Sequence, residues 1–302
     1  MKRVINKLSY IAFSGIILMS IVFIASCKKS SSSGPPLIGG YASSDSVAAS
    51  NLIAYWPFDG DANDKKGGLT ATTAGSVTFT TGIRGQAYQG ADGAYATYSL
   101  PASNSFTTLH SYSVSFWYKV PASQATITRT QGLFFVEGTT TQNLLINEIE
   151  PYTSLTGDSV RIHTGFNDIG APAYQLFVPE TFDTAATAKW VHFVVEYNGG
   201  TSVYTVYQNA VPSGTNSAFS NGHYITPNPL WTDGTATTPL GSLNFSSDPA
   251  KTVIIGTWPD GLFGQSATTN TYLGQMDELR VFNKALTQTE VSGLYLNGKA
   301  GR

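Results

Sequence analysis

Four oxygen-bearing side chains lie close together near residue 60 and have the types that bind calcium. Asp59, Asp61, Asn63 and Asp64 fall in a turn-like sequence, and calcium takes six to eight oxygen ligands from carboxylates, amides and carbonyls. The spacing is similar to the start of an EF-hand loop, but position six lacks the glycine and position twelve lacks the glutamate. The alternative is that these side chains form Asx turns after a strand. A structural Ca²⁺ and plain turns both stay open.

Asp277 is a further candidate calcium ligand because we expect the first and last strands of the domain to pair. The run at 52–58 and the run at 273–282 are both strand-like and both carry acidic residues. A β-sandwich whose first and last strands pair would bring Asp277 to the cluster at Asp59–Asp64. The predicted metal ligands are therefore Asp59, Asp61, Asn63, Asp64 and Asp277.

Glu148 and Glu150 are the candidate catalytic pair. They alternate in a strand pattern, so both side chains would share one face. Retaining glycoside hydrolysis needs two carboxyls about 5 Å apart, which this spacing allows. The alternative is a pair of solvated glutamates at a strand edge. The four histidines are scattered and no glycine-bracketed serine is present, so a Ser-His-Asp site is not indicated.

Aromatic residues in a long Pro- and Gly-rich stretch suggest a third kind of site. Residues 213–250 show little periodicity, and stretches of this length are often functional. Sugar sites combine flat rings with amides and carboxylates. The alternative is that each tryptophan only pins its own loop. The predicted ligand-binding residues are Tyr224, Asn228, Trp231, Trp258, Asp260 and Tyr272, with His223 and Asp233 nearby.

The sequence pattern predicts many short strands in the rest of the globular region. Residues 113–120 alternate, with Val114, Phe116 and Tyr118 on one face. Residues 190–197 alternate likewise, and a Gly-rich turn leads into a returning strand at 203–207, which predicts a hairpin. About a dozen such strands predict an all-β, two-sheet antiparallel jelly-roll sandwich.

One helix is predicted, at the C-terminal end. Thr287 and Glu290 have capping-box spacing, apolar residues then recur at helical intervals, and Gly298 is a candidate stop. We expect this short helix to cover an open edge of the sandwich.

The first 26 residues predict a signal peptide, and Cys27 is the only cysteine. Lys2 and Arg3 form a positive start, and the apolar run at 10–24 is shorter than the roughly 20 residues that span a bilayer. The sequence at 24–27 resembles the bacterial lipobox, which implies lipidation of Cys27. An ordinary signal peptide is the alternative. Residues 27–50 are predicted to be a flexible tether, and residues 51–302 a single domain.

The charge and cysteine content of the chain limit the classes of partner that it is expected to bind. Charged residues make up 12% of the chain and the formal net charge is −2, which argues against nucleic-acid binding because that requires a basic patch. The lone cysteine rules out a disulfide framework. The expected partner is a polysaccharide or glycan, with other envelope proteins as the alternative and with membrane contact through the lipid anchor only.

Five motifs occur in an order typical of one fold family. They lie at 54–60, 82–88, 112–117, 190–199 and 276–291. Together they resemble the laminin-G-like, concanavalin A-like jelly-roll domains of Bacteroidetes-type surface lipoproteins, from about residue 52 to 296. The resemblance implies two face-to-face sheets, carbohydrate or protein binding and sometimes calcium. Related laminarinase-type hydrolases carry a further glutamate on the catalytic strand, but Tyr152 and Thr153 stand there in this chain.

Three functional hypotheses follow. The first is a lipid-anchored carbohydrate-binding protein of the cell envelope without catalysis. The second is an adhesion or assembly module that binds protein, and the third is a glycan-cleaving enzyme. The expected location is the outer membrane. Residues 28–30 lack the acidic stretch associated with surface export, so the periplasmic and cell-surface sides both stay open.

Overall fold

Eighteen strands and one α-helix are present in the described part of the chain. The computed structural model describes residues 34, 36–121, 128–150, 161–167, 174–178, 188–213, 217–219, 222–224, 228–229 and 238–302. The strands are β1 (Leu52–Trp56), β2 (Thr72–Ala74), β3 (Thr78–Thr81), β4 (Gln86–Gln89), β5 (Tyr95–Ser99), β6 (Tyr112–Lys119), β7 (Gln131–Glu137), β8 (Leu145–Glu150), β9 (Arg161–Phe166), β10 (Tyr174–Val178), β11 (Val191–Asn198), β12 (Val203–Gln208), β13 (Val211–Pro212), β14 (Ser217–Phe219), β15 (Gly222–Tyr224), β16 (Asn228–Pro229), β17 (Thr252–Ile255) and β18 (Gln275–Phe282). The α-helix, α1, is Gln288–Lys299, and short 3-10 helices lie at Ser44–Ser46 and Leu262–Gly264.

Two antiparallel sheets form the sandwich. The first sheet has the order β13-β12-β11-β6-β18-β4-β3, with β1 also paired to β18 and β16 to β12. The second sheet has the order β10-β9-β8-β7-β17-β5-β2, and β14 pairs with β15 as a separate hairpin. The predicted all-β jelly-roll sandwich with a short C-terminal helix is confirmed.

The first and last strands pair as predicted. Ala54 lies opposite Val281 and Trp56 opposite Leu279 in the β1–β18 ladder. The predicted hairpin is also confirmed, because β11 pairs with β12 from Phe193 to Asn198.

Alternating side chains build the core between the sheets. Val114, Phe116 and Tyr118 of β6 all point into it, as the period-2 pattern predicted. The second sheet contributes Leu145 and Ile149 of β8, among others. The intervening residues of each strand therefore point to the outer face of their sheet, away from the partner sheet.

Helix α1 lies on the outer face of the first sheet rather than at a sheet edge. The predicted capping box is present, since the Thr287 hydroxyl accepts from Glu290 N–H and the Glu290 carboxylate accepts from Thr287 N–H. Val291 and Leu294 pack on Phe282 and other residues of this outer face, so the expectation of an edge cover is wrong.

Gly298 is not the helix stop that the sequence suggested. The helix continues to Lys299, and the left-handed glycine after it is Gly301. A Cβ at Gly298 would lie 2.7 Å from Nε1 of Trp117, so this glycine permits close packing of the helix on the sheet.

Part of the predicted tether is folded. Leu37–Arg302 form one compact unit. Val47 is buried with helix α1, and both the amide and the hydroxyl of Ser44 donate to the carbonyl of Arg302. Residues 37–50, which were predicted to be part of the tether, thus pack against the C-terminal helix, so the compact unit begins before residue 51. The predicted signal peptide and Cys27 lie outside the described residues.

His192 is buried beneath this helix and should make stability depend on pH. Its ring lies 5.0 Å from that of Trp117 and 6.0 Å from that of Tyr295, and Nε2 lies 3.0 Å from the Ser115 hydroxyl. Burial, with help from the Arg280 charge, lowers the pKa of His192 to about 3. The unfolded chain takes up this proton near pH 6.5. Stability due to this group is therefore complete above pH 6.5 and lost as pH falls toward 3.

We expect His192→Gln to flatten that dependence. Between pH 6.5 and 4 the wild type should lose about 1.4 kcal/mol of unfolding free energy per pH unit more than the variant. Urea unfolding of both proteins across this range measures the difference. Parallel pH profiles would show that His192 is protonated in the folded state.

Candidate functional site

Side chains that could act as acids, bases or metal ligands lie together on the outer face of the second sheet. Leu145 and Ile149 of β8 enter the core, so Ile146, Glu148 and Glu150 point outward. Strand β9 pairs beside β8 and places His163 opposite Glu148. The pairing of β8 with β9 thus brings two glutamates and one histidine together.

These three side chains, the Glu–His cluster, are in direct contact. Nδ1 of His163 lies 2.7 Å from Oε1 of Glu148 and 3.1 Å from Oε1 of Glu150. Arg161 approaches the other oxygen of Glu150, with Nη2 3.3 Å from Oε2. Glu148 is fully buried, while Glu150 is partly exposed. The sequence singled out both glutamates but gave no sign of His163, whose role depends on strand pairing.

Burial and pairing set the charges in the Glu–His cluster. Burial raises the pKa of Glu148 to about 7, although the hydrogen bond from His163 opposes this. Burial acts to lower the pKa of His163, but the two glutamates outweigh it and raise the pKa to about 9. Burial also acts to raise the pKa of Glu150, but His163 and Arg161 lower it below its usual value. Without a bound cation, the cluster is an ion network around a protonated imidazole.

Trp258 lies on the same outer face but is buried. Its ring is 4% exposed and packs edge-on against Phe135 with centroids 5.3 Å apart. Ile146 and Ile254 complete this apolar cluster, and Nε1 donates to the Leu262 carbonyl at 3.0 Å. The expectation of an exposed tryptophan ring for ligand contact is therefore wrong at this position, because three strands of the second sheet cover it.

Among the side chains that the structure describes on this face, Phe263 has an exposed aromatic ring. Its side chain is 74% exposed, and its ring centroid lies 6.3 Å from that of Trp258. Its backbone has φ 51° and ψ 28°, a left-handed conformation that is uncommon for a bulky residue. Sequence reasoning missed Phe263. The signal was an apolar pair between glycines in the loop at 256–270.

Polar groups surround this loop. Asp260 is exposed, and its Oδ1 accepts from Ala267 N–H at 3.1 Å. The side-chain amide of Gln142 donates to the Asp260 carbonyl at 2.8 Å. The side-chain Nδ2 of Asn270 donates both to the Thr130 carbonyl and to Oε1 of Gln265. The loop is therefore held in place by its own hydrogen bonds, with the Phe263 ring at its surface.

Among the other predicted ligand-binding residues, the structure describes the side chain of Tyr272, which does not join this loop surface. Tyr272 is fully buried, and its hydroxyl donates to the carbonyls of Lys119 and Gln275, so its ring is not available for ligand contact in this structure. Tyr224 and Asn228 belong to the short strands β15 and β16, where the backbone is described. Trp231 and Asp233 lie outside the described residues.

The predicted calcium ligands are engaged in turns. Oδ1 of Asp64 accepts from the backbone N–H groups of Tyr55 and Lys66, both at 2.8 Å. Asp61 accepts from Asn63 N–H and binds Lys65 at 2.6 Å. Asn63 accepts from the N–H of Ala71. These are the Asx turns that formed the alternative to calcium.

Asp59 and Asp277 meet at one turn, as the strand pairing suggested. Asp59 accepts from Gln86 N–H at 2.7 Å, and Asp277 accepts from Ile83 and Arg84 N–H at 2.8 and 3.1 Å. Burial raises the pKa of Asp277 to about 8, which disfavours its charged form. Among the described residues, the four aspartates of this set do not bring three carboxylate ligand atoms within 4.8 Å of one another, whereas the Glu–His cluster brings three ligand atoms that close. This donor set therefore fits turns better than an ion, and bound calcium stays a prediction.

A small cleft at the edge of the sandwich offers a second concave surface. It has a volume of about 160 Å³ and is lined by Ile53, Asp64, Gly67, Leu69, Leu100, Pro101, Ser103, Asn104, Ser105 and Phe106. The amide of Asn104 already donates to Pro101 and Ala250. The polar wall is thus largely satisfied within the protein.

Comparisons with known proteins show the fold. No protein family matches the sequence, and no curated protein matches it. The ligand-binding domain of botulinum neurotoxin serotype D, solved with N-acetylneuraminic acid, has a TM-score of 0.55 at 14% identity, covering 83% of this chain and 52% of that chain. The receptor-binding domain of the botulinum neurotoxin C/D mosaic serotype has a TM-score of 0.54 at 14% identity, covering 82% and 51%. This chain thus spans about half the length of both.

A further similar structure is domain 4 of a GH43 extracellular arabinanase from Geobacillus stearothermophilus, solved with arabinotriose. It has a TM-score of 0.48 at 22% identity, and the match covers 81% of this chain and 98% of that chain. In the described residues, no helix is long and apolar enough to cross a membrane.

Proposed function

We propose that this protein is a lipid-anchored cell-envelope protein that binds a carbohydrate on the outer face of its second sheet, without cleaving it. The observation that carries the proposal is the exposed Phe263 ring. A ring left in water forgoes roughly 1.5–3 kcal/mol of burial, and its left-handed backbone adds strain of order 1–3 kcal/mol. Both costs favour a role in contact with a ligand.

The surroundings of Phe263 suit a sugar. A pyranose presents an apolar face to a ring and hydroxyls to polar groups. The exposed Asp260 carboxylate and the side chains of Gln142 and Gln265 lie in or against the same loop. The serotype D neurotoxin domain shares the fold and is solved with N-acetylneuraminic acid, which supports a sugar as the ligand class.

The geometry of Glu148 and Glu150 supports binding without cleavage. In glycosidases two carboxyls flank the scissile bond and leave room for it. Here Nδ1 of His163 lies within hydrogen-bond distance of both carboxyls, and Glu148 is fully buried. A glycosidic oxygen has no place between them in this arrangement.

Membrane attachment belongs to the same proposal. The motif at 24–27 supports acylation of Cys27, and each acyl chain contributes about 0.8 kcal/mol per buried CH₂. The outer membrane is the proposed location, on its periplasmic or its cell-surface side.

We expect Phe263→Ala to weaken polysaccharide binding by about tenfold or more, because the stacking surface is lost. Its melting temperature should stay close to that of the wild type, since the ring is exposed. Affinity electrophoresis in polysaccharide gels, paired with thermal melts, measures both quantities.

Two variants serve as controls. Phe263→Tyr keeps a flat ring and should retain binding. Val211→Ala removes an exposed apolar side chain from β13 of the other sheet and should change nothing. If the wild type is retarded by no polysaccharide, the protein-binding adhesion module replaces this proposal.

A further inference from the structure

Two glutamate oxygens of the Glu–His cluster share a single nitrogen of His163. Two carboxylate oxygens, from Glu148 and Glu150, lie 2.7 and 3.1 Å from the same nitrogen of His163. An imidazole nitrogen carries at most one proton, and one N–H can point well at only one oxygen. The second oxygen therefore faces the nitrogen without a well-placed hydrogen.

A second atom of the cluster lacks a partner altogether. Oε2 of Glu148 is buried and has no hydrogen-bond partner among the described residues, and the whole side chain is inaccessible to solvent. A buried carboxylate is normally paired or bound to a metal, and an unsatisfied one calls for an explanation such as an ion. Both observations point to a cation at this place.

We propose that Glu148, Glu150 and His163 bind one divalent transition-metal ion of the zinc class. Such ions sit about 2.0–2.2 Å from carboxylate oxygen and imidazole nitrogen, so two ligand atoms around one ion are about 3.0–3.5 Å apart. The three ligand atoms here all lie within 4.8 Å of one another. Small side-chain movements would therefore complete the coordination.

The ligand types select the metal. Imidazole nitrogen suits zinc and its neighbours, whereas calcium and magnesium prefer sets made of oxygen alone. Three protein ligands leave a coordination position for water or another oxygen ligand. Binding of the ion requires Nδ1 of His163 to lose its proton to solvent, so that the nitrogen lone pair can coordinate the ion.

Arg161 supports the second carboxylate. Its guanidinium contacts Oε2 of Glu150 at 3.3 Å and leaves Oε1 directed at His163. Groups that hold a metal ligand by its other atom fix its orientation. This metal site does not depend on carbohydrate binding.

The test uses the full chain, stripped with chelator and titrated with zinc chloride by calorimetry, followed by measurement of metal per chain. We expect one zinc per chain and a higher melting temperature. Glu148→Gln and Glu150→Gln should each weaken binding by more than about tenfold. Glu137→Gln is the matched control. Glu137 is also a strand glutamate, but it lies at the end of β7, whereas Glu148 lies opposite Gly132 near the start of that strand.

Three results would overturn the proposal. One is no zinc uptake by the wild type, and another is calcium binding as tight as zinc binding. The third is unchanged zinc binding in the two cluster variants, which would place the ion elsewhere. Glu150 is partly exposed, so Glu150→Gln gives an answer even if Glu148→Gln does not fold.

Discussion

Arg280→Ala is expected to lower the free energy of unfolding by about 3–5 kcal/mol, because it breaks a buried ion network. Nη2 of Arg280 lies 2.6 Å from Glu278 and 2.9 Å from Asp45, and its guanidinium lies 4.2 Å from the Tyr55 ring centroid. Arg280 and Glu278 are both buried. Loss of Arg280 would leave the buried Glu278 carboxylate with the Tyr55 hydroxyl and the longer ion pair to Arg84, whose Nη1 lies 3.4 Å from Oε2.

This network also ties the N-terminal segment to the last strand. Asp45 belongs to the segment that the sequence placed in the tether, and it pairs with Arg84 at 2.6 Å as well as with Arg280. Urea unfolding of Arg280→Ala measures the loss. Arg129→Ala is the matched control, since Arg129 pairs with the exposed Asp92 and such pairs contribute about 0–1 kcal/mol. Equal small losses in both variants would contradict a structural role for the network.

Trp258→Ala is the second large effect, with an expected loss of about 3–5 kcal/mol. The substitution removes a buried ring from Phe135, Ile146 and Ile254 and leaves a cavity on the outer face of the second sheet. It also removes the hydrogen bond that holds the Leu262 carbonyl. The loop that carries Phe263 should become less ordered.

Thermal melts and polysaccharide binding separate the roles of the two rings. Trp258→Ala should melt several degrees lower and lose binding as a consequence, whereas Trp258→Phe should recover part of both. Phe263→Ala should lose binding alone. A Trp258→Ala protein that melts like the wild type but binds no polysaccharide would restore the direct contact role predicted from the sequence.

Local patterns predicted the architecture well. Alternation at 113–120 identified the core face of β6, and the capping-box spacing identified the start of α1, because both depend on residues a few positions apart. The pairing of β1 with β18 was also predictable, since a closed sandwich leaves few places for its end strands.

The site was less predictable because it depends on contacts distant in sequence. Trp258 looks exposed in its Pro- and Gly-rich loop, yet residues of β7, β8 and β17 bury it. His163 meets Glu148 only through the register of β8 and β9. The strained backbone of Phe263 has no signature in residue type.

The most direct test of the central claim is a glycan-array screen of the full chain, purified in detergent, with Phe263→Ala and Phe263→Tyr measured beside it. Carbohydrate binding at the Phe263 surface predicts that the wild type and Phe263→Tyr bind the same set of glycans and that Phe263→Ala binds them at least about tenfold more weakly. Equal binding by all three proteins, or binding by none, would contradict it.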